Sequence, residues 1–252
     1  MVNDTRAKYW NEDYYNYWQK RVEESANNPT QPSALVRNDH AVPSDMVYED
    51  LFDMFDINNG SLLDVGCAWG RMFPMYASRN IKIHGVDISE KMVAEANKKA
   101  QQFQSEVEVS TAENLPFKPE YFDYVVCLGV FDATYQHQAL SEFLRVVKTG
   151  GNIIISGKNN KYLSDDTEAA LAEVGARKKG EPNYFTDVKY LTQQLESIGH
   201  RVQKCLYFER RGDFAAALFD EAMPERFYEF CLIIEKKNSN YRLEPFSHEF
   251  SC

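Results

Sequence analysis

Apolar positions fall in two rhythms along this chain. Ser61–Val65, Ile81–Val86, Val107–Val109, Tyr124–Leu128 and Asn152–Ser156 are short runs rich in branched apolar side chains, the pattern of strands buried on both faces. Between them, apolar residues recur every three or four positions. Ser89 can cap a helix running to about Phe103, its hydroxyl satisfying a free N–H of the first turn. Residues 136–148 place Leu140, Phe143, Leu144 and Val147 on one face of a further helix, which stops at Gly150-Gly151. Ser44 opens an earlier helix with Val47, Leu51 and Phe55 along one stripe. After a polar stretch, Thr186 caps a helix ending at Gly199, Arg201–Phe208 gives a sixth strand, and Tyr228–Ile234 gives a seventh. Strands this apolar, alternating with helices, predict an α/β fold with a parallel sheet covered on both faces.

Changes of texture divide the chain. Residues 1–43 are aromatic, polar and punctuated by proline, and are expected to form a helical cap or lid. Residues 44–236 carry the α/β body, with residues 157–184 as a polar insert over the active site and residues 237–252 as a polar tail. In the first segment Trp10, Tyr14, Trp18 and Val22 lie four apart, one stripe of a helix. The stripe can pack on the body, close over a site to exclude water, or both.

Composition narrows the function classes. With 252 residues, 44% hydrophobic and 26% charged, the chain is globular rather than disordered or collagenous. No apolar run is long enough to predict a membrane-spanning helix, and the first residues lack the apolar stretch of a secretory signal. The net charge, 28 basic less 38 acidic residues or −10, argues against broad nucleic-acid binding. Cys67, Cys127, Cys205, Cys231 and Cys252 are odd in number and far apart, which fits a reducing cytosol and offers no metal framework.

Asp64-Val65-Gly66-Cys67-Ala68-Trp69-Gly70 sits between a strand and a helix, where glycines let the backbone turn sharply and approach a ligand. Asp87, 21 residues after Gly66, ends the next strand, and a carboxylate there can accept both hydroxyls of a ribose. A dinucleotide site uses the same parts, but its G-x-G-x-x-G spacing docks a pyrophosphate on a helix N-terminus. Here the spacing is Gly66-x-x-x-Gly70, with the bulky Trp69, Arg71, Met72 and Phe73 nearby. An NAD-dependent oxidoreductase is therefore the weaker alternative.

These residues resemble the class I S-adenosylmethionine-dependent methyltransferases. The loop just described is similar to their first motif and Gly85-Val86-Asp87-Ile88-Ser89 to the second. Thr111-Ala112-Glu113-Asn114-Leu115-Pro116-Phe117 is similar to the third, Phe122–Leu128 to the fourth strand, and Leu144–Gly151 to the helix end before strand five. The resemblance covers residues 61–156 in order, extends more weakly to about residue 236, and omits residues 1–43 and the insert. It implies a doubly wound, mostly parallel seven-stranded sheet with an antiparallel last strand, helices on both faces and an N-terminal helical cap. It also implies that Gly66 and Gly70 let the backbone approach the methionine part of the cofactor, and that Asp64 orders the loop. Asp87 would hold the ribose, Ile88 cover the adenine, Ala112 and Glu113 meet the adenine edge, and Leu128 lie near the sulfonium, while Arg71 can pair with the cofactor carboxylate. The family's middle glycine is Ala68 here. Alanine tolerates positive φ poorly, so ordinary backbone angles are expected at that position.

Methyl transfer is an in-line displacement in which alignment supplies much of the rate. A hydroxyl acceptor also needs a base, for which Asp132, His137 and His40 are the candidates. Arg177, Lys178, Lys179, Arg210 and Arg211 would favour an acidic acceptor if their loops reach the site. The sequence thus predicts a cytosolic methyltransferase acting on oxygen, or secondarily nitrogen, of a small polar metabolite or glycan. Nucleic-acid and membrane partners are not expected, and a homodimer is compatible with the chain. A cofactor-binding regulatory subunit, inactive without its partner, is the alternative from a different class.

Overall fold

Consecutive branched residues in a strand must be buried on alternate sides, and the sheet is built accordingly. The computed structural model describes residues 5–27, 43–178, 183–216 and 218–249. Its strands are β1 (Ser61–Val65), β2 (Lys82–Asp87), β3 (Glu106–Val109), β4 (Phe122–Cys127), β5 (Val147–Lys158), β6 (Tyr184–Thr186), β7 (Arg201–Phe208), β8 (Glu229–Glu235) and β9 (Ser247–Glu249). Seven of them form one sheet in the order β3-β2-β1-β4-β5-β8-β7, and β6 pairs antiparallel with β9 apart from it. Within the large sheet β1 to β5 run parallel and β8 is antiparallel to both of its neighbours, β5 and β7.

Leu63, Val125, Ile153 and Ile155 face one side, against Leu140, Phe143 and Leu144 of α6 (Gln136–Val146) and Leu191 and Leu195 of α8 (Val188–Ser197). Their neighbours Leu62, Val126 and Ile154 face the other, against α3 (Pro43–Met54), α4 (Phe73–Ser78) and α5 (Glu90–Phe103). This is the predicted doubly wound α/β arrangement. The strand order reverses between β1 and β4, and ligands in such sheets bind beyond the strand C-termini at that point.

Several local expectations are refined. Ser89 does cap α5, its hydroxyl accepting the Met92 N–H at 3.2 Å. For α8 the cap is Asp187, which accepts the Tyr190 N–H at 3.0 Å, while Thr186 lies in β6 and bonds Gln136 at 2.8 Å. Gly150 and Gly151 do not stop a helix. They lie inside β5, which leaves α6 directly at Val147. A Cβ on Gly151 would meet the Asp123 carbonyl oxygen at 2.6 Å, so close strand approach explains that glycine. After β8 the chain returns to the body: Leu243 and Phe246 are buried before β9 pairs with β6. Among the described residues no helix is long and apolar enough to cross a membrane.

Candidate functional site

The loop after β1 is held by backbone hydrogen bonds to the next strand. Gly66 N–H and Cys67 N–H both donate to the Val86 carbonyl, at 2.8 and 3.1 Å. Gly66 has φ +79°, and a Cβ there would lie 2.6 Å from Val130. Gly70, at φ +72°, similarly leaves room for the Phe73 ring. Ala68 departs from expectation. It adopts φ +46°, a left-handed conformation rather than ordinary angles. The reason is a specific bond: in that geometry its N–H donates to Asp87 Oδ2 at 2.9 Å.

Asp87 is thereby fixed at the end of β2. Its other carboxylate oxygen accepts the Ser89 N–H at 2.8 Å, which leaves further lone pairs for hydroxyl donors. Burial pushes its pKa up to about 6, partly offset by the Ser89, Ala68 and Ile88 N–H groups. Asp64, buried on β1, is pushed to about 7, first by burial and then by the charge of Asp87. Asp87 and the bent backbone of Gly66 and Ala68 face a cavity of about 260 Å³ at the switch point, lined also by Ile88, Ala112 and Glu113, whereas Asp64 and Gly70 do not line it. A nucleoside with two ribose hydroxyls fits the donor and acceptor set of this cradle. Arg71 and Leu128 are not among the residues lining it. Arg71 lies where its charge acts on Tyr48, and Leu128 packs with the core beneath α3 to α5, its place on the wall taken by Gly129 and Val130.

The front of the chain closes this cavity. Helix α1 (Thr5–Tyr9) leads into a π-helical turn, Trp10–Tyr14, and then α2 (Tyr15–Asn27). Wide turns of this kind are uncommon and tend to mark functional sites. Trp10 and Tyr14 line the cavity, whereas Trp18 stacks on Trp69 of the glycine loop, with centroids 4.9 Å apart. Val22 is exposed. The predicted stripe therefore divides between wall and packing. Asn11 accepts from both Ser89 Oγ at 2.8 Å and Lys91 N–H at 3.1 Å, tying the turn to the start of α5. Arg6 grips Glu113 through two bonds of 2.8 and 3.0 Å, and its guanidinium lies 4.4 Å from the centre of the Tyr135 ring. Glu113 also accepts the Tyr135 N–H at 2.7 Å, so most of its acceptor capacity is used within the chain. No sequence motif marked Arg6, since a lone arginine before an aromatic run looks like a solvated charge.

A second cavity, of about 270 Å³, adjoins the first, and Gly129 lines both. Its wall includes Tyr48, Asp132, Ser156, Lys158 and Glu229. Lys158 bridges Asp132 at 2.8 Å and Glu173 at 3.0 Å. Burial favours the neutral amine, but Asp132, Tyr228 and Glu173 together hold Lys158 protonated and raise its pKa. Tyr228 and Asn183 donate to the fully buried Glu173. Of the candidate bases, Asp132 lines this cavity. His137 packs its ring toward Phe246, with Nδ1 buried and without a partner, and lines neither cavity. His40 lies outside the described residues, as do Lys179 and the side chains of Arg177 and Lys178. Arg210 pairs with Asp165 at 3.1 Å, and Arg211 donates to the Tyr228 hydroxyl at 3.3 Å.

Comparison with known proteins agrees with this geometry. Residues 63–155 match the methyltransferase domain family model. An uncharacterized protein of Methanocaldococcus jannaschii is 32% identical over 151 residues, which cover 58% of this chain and 66% of that one. A phosphatidylethanolamine N-methyltransferase of Cereibacter sphaeroides is 31% identical over 119 residues, covering 45% of this chain and 57% of the relative. The chain thus spans less than two thirds of the length of these curated relatives. Among solved structures, magnesium protoporphyrin IX methyltransferase from Synechocystis, with bound SAH, superposes with a TM-score of 0.59 at 18% identity, covering 91% of this chain and 97% of that one. Residues 63–155 thus match a methyltransferase domain, with its motifs in order on a Rossmann-like sheet.

Proposed function

We propose that this protein is an enzyme that moves the methyl group of S-adenosylmethionine to an oxygen or nitrogen of a small polar molecule. The observation that carries this is the pair of adjoining cavities at the sheet's switch point, with only the backbone of Gly129 shared between them. When bound, the cofactor supplies a methyl group on a cationic sulfur. In this proposal Asp87 accepts the ribose hydroxyls, Ala112 lies along the adenine, and Glu113 presents an edge already steadied by Arg6. Gly66 and Gly70 admit the methionine part. Trp10 and Tyr14 cover the cavity and keep water from the reacting centre. Asp132 and Glu229 are the carboxyls of the second cavity, within the space an acceptor would fill. The described cysteines, Cys67, Cys127, Cys205 and Cys231, are free thiols, which supports placement in a reducing cytosol.

The test is incubation of the purified protein with methyl-labelled cofactor and a low-molecular-weight metabolite fraction. Label should pass to a small molecule with no second protein added. Tight cofactor binding with no transfer, restored by a protein fraction, would instead support a regulatory subunit.

A further inference from the structure

The second cavity has a charge pattern that selects among acceptors. Glu229 opens β8 and lies on the cavity wall beside Tyr48, Lys158 and Phe230. Six groups act on its carboxyl: Lys158 from β5, Arg211 from the loop after β7, Asp132 from the turn after β4, Glu173 from α7 (Thr167–Lys178), and the phenols of Tyr48 and Tyr228. Lys158 is committed to Asp132 and Glu173, and Arg211 to the Tyr228 hydroxyl. Among the described residues nothing donates a hydrogen bond to the Glu229 carboxyl. Of the groups acting on Glu229 itself, two cations stand against two carboxyls, Arg71 reaches this wall through Tyr48, and the Glu229 carboxyl is left with no donor of its own. An anionic acceptor would meet that undonated carboxyl, whereas a positive charge bearing N–H donors would pair with it. The remaining wall is aromatic: Tyr48 and Phe214 meet with ring centres 5.1 Å apart, a lining suited to an aryl or alkyl body and to a cation over a ring face.

We infer that the second cavity is the acceptor site, that the acceptor is a small aryl-alkyl amine entering as its ammonium, and that Glu229 is the group that binds the ammonium and takes its proton. The inference rests on the methyltransferase reading above and goes past it in choosing nitrogen over oxygen. The ammonium gives one proton to the Glu229 carboxylate. The freed nitrogen lone pair then forms a bond to the methyl carbon as the carbon–sulfur bond breaks, its electron pair going to sulfur. The methylated nitrogen leaves as an ammonium, and Glu229 returns its proton to water. Burial pushes the Glu229 pKa to about 7, only partly countered by Lys158 and Arg211, which suits a group that must both gain and lose a proton near neutrality.

The experiment is calorimetric titration of the full chain, saturated with S-adenosylhomocysteine, with phenethylamine, 2-phenylethanol and 3-phenylpropionate. The amine should bind at least tenfold tighter than the alcohol or the acid, and more tightly at pH 8 than at pH 6, as Glu229 ionises while the amine stays charged. Glu229→Gln, which keeps shape and volume, should abolish both the preference and the pH dependence. It should leave S-adenosylhomocysteine affinity and melting temperature close to those of the parent. Equal binding of the three probes, tighter binding of the acid, or an unchanged amine affinity in Glu229→Gln overturns the inference. A protein that does not bind S-adenosylhomocysteine at all overturns the methyltransferase reading instead, so the two failures are distinct.

Discussion

Arg6 and Glu113, separated by 107 positions, are joined by a two-pronged hydrogen-bonded ion pair with both side chains largely buried. It fastens the front helix to the loop after β3 on the wall of the first cavity, the proposed cofactor site. A pair of this geometry is costly to break on one side only, because the carboxylate left behind stays buried. Arg6→Ala should therefore loosen the cap, weaken cofactor binding by about tenfold, or ~1.4 kcal/mol, and act mainly through faster dissociation. Stopped-flow release of the cofactor measures this directly, and unchanged release would show that the pair does not hold the cavity shut. Deleting residues 1–30 should leave the α/β body folded but abolish transfer.

Asp64 and Asp87 set opposite demands on stability and binding. Both carboxyls have folded-state pKa values above the ordinary 3.8, at about 7 and about 6. Between pH 4 and 7 the unfolded chain has lost these protons and the folded chain has not, so this pair's contribution to the stability of the ligand-free protein declines as pH rises. Asp64→Asn should raise ligand-free stability at pH 8 by at least ~1 kcal/mol, since a tenfold change in proton affinity on folding corresponds to ~1.4 kcal/mol, while weakening cofactor binding. Asp87→Ala loses the ribose acceptor. Hydrogen bonds to a charged group are worth ~1.5–3 kcal/mol each, so affinity should fall at least tenfold. In the parent, affinity should decline below about pH 6 as Asp87 gains its proton. Calorimetry across pH 5–8 checks each expectation.

Ala68 shows how far the sequence could be read. The order of strands and helices, the two glycines and Asp87 were legible because apolar periodicity and turn chemistry are local. The conformation at residue 68 was not, because it is set by a hydrogen bond to a residue 19 positions away. The same holds for Arg6, whose partner lies across the fold, and for Glu229 and Lys158, which come together only when β8 lies antiparallel beside β5. A left-handed alanine costs ~1–2 kcal/mol, and glycine relieves this at some entropic cost in the unfolded chain. Ala68→Gly should accordingly be neutral or stabilising by up to ~1 kcal/mol and keep cofactor affinity. Ala68→Val, branched at Cβ, should destabilise and weaken binding. Denaturant midpoints and cofactor titrations of both variants settle the sign.

His84 gives the molecule an acid-sensitive point away from the site. It is buried on β2 with its ring edge-on to Phe117, Tyr121 and Phe122, and its Nδ1 has no partner. Burial lowers its pKa below 6.5, the nearby Glu106 opposing this in part. A lowered histidine is held neutral in the folded state, so its contribution is intact above pH 6.5 and is lost as pH falls below that value. His84→Phe should flatten stability between pH 6.5 and 5, measured by urea midpoints, while leaving the slope at higher pH to the aspartates.

Asp132, His137 and Glu229 make separable contributions to turnover. Asp132 holds Lys158 at 2.8 Å on the wall of the second cavity, whereas His137 lies toward Phe246 and lines neither cavity. If a carboxyl of the second cavity takes the acceptor's proton, its loss should lower turnover by ~10²–10⁴-fold. Asp132→Asn keeps shape but releases Lys158, which remains tied to Glu173 and can turn toward Glu229. Its expected signature is a smaller fall in turnover with a lower apparent pKa in the rate profile, because a freed lysine would stabilise the ionised Glu229. His137→Ala should leave turnover within a fewfold of the parent. A large loss in Asp132→Asn with an unshifted profile would identify Asp132 as the base, and a large loss in His137→Ala would move the chemistry toward α6. Neither substitution should change cofactor affinity, because the residues proposed to hold the ribose and adenine line the first cavity, on the far side of Gly129.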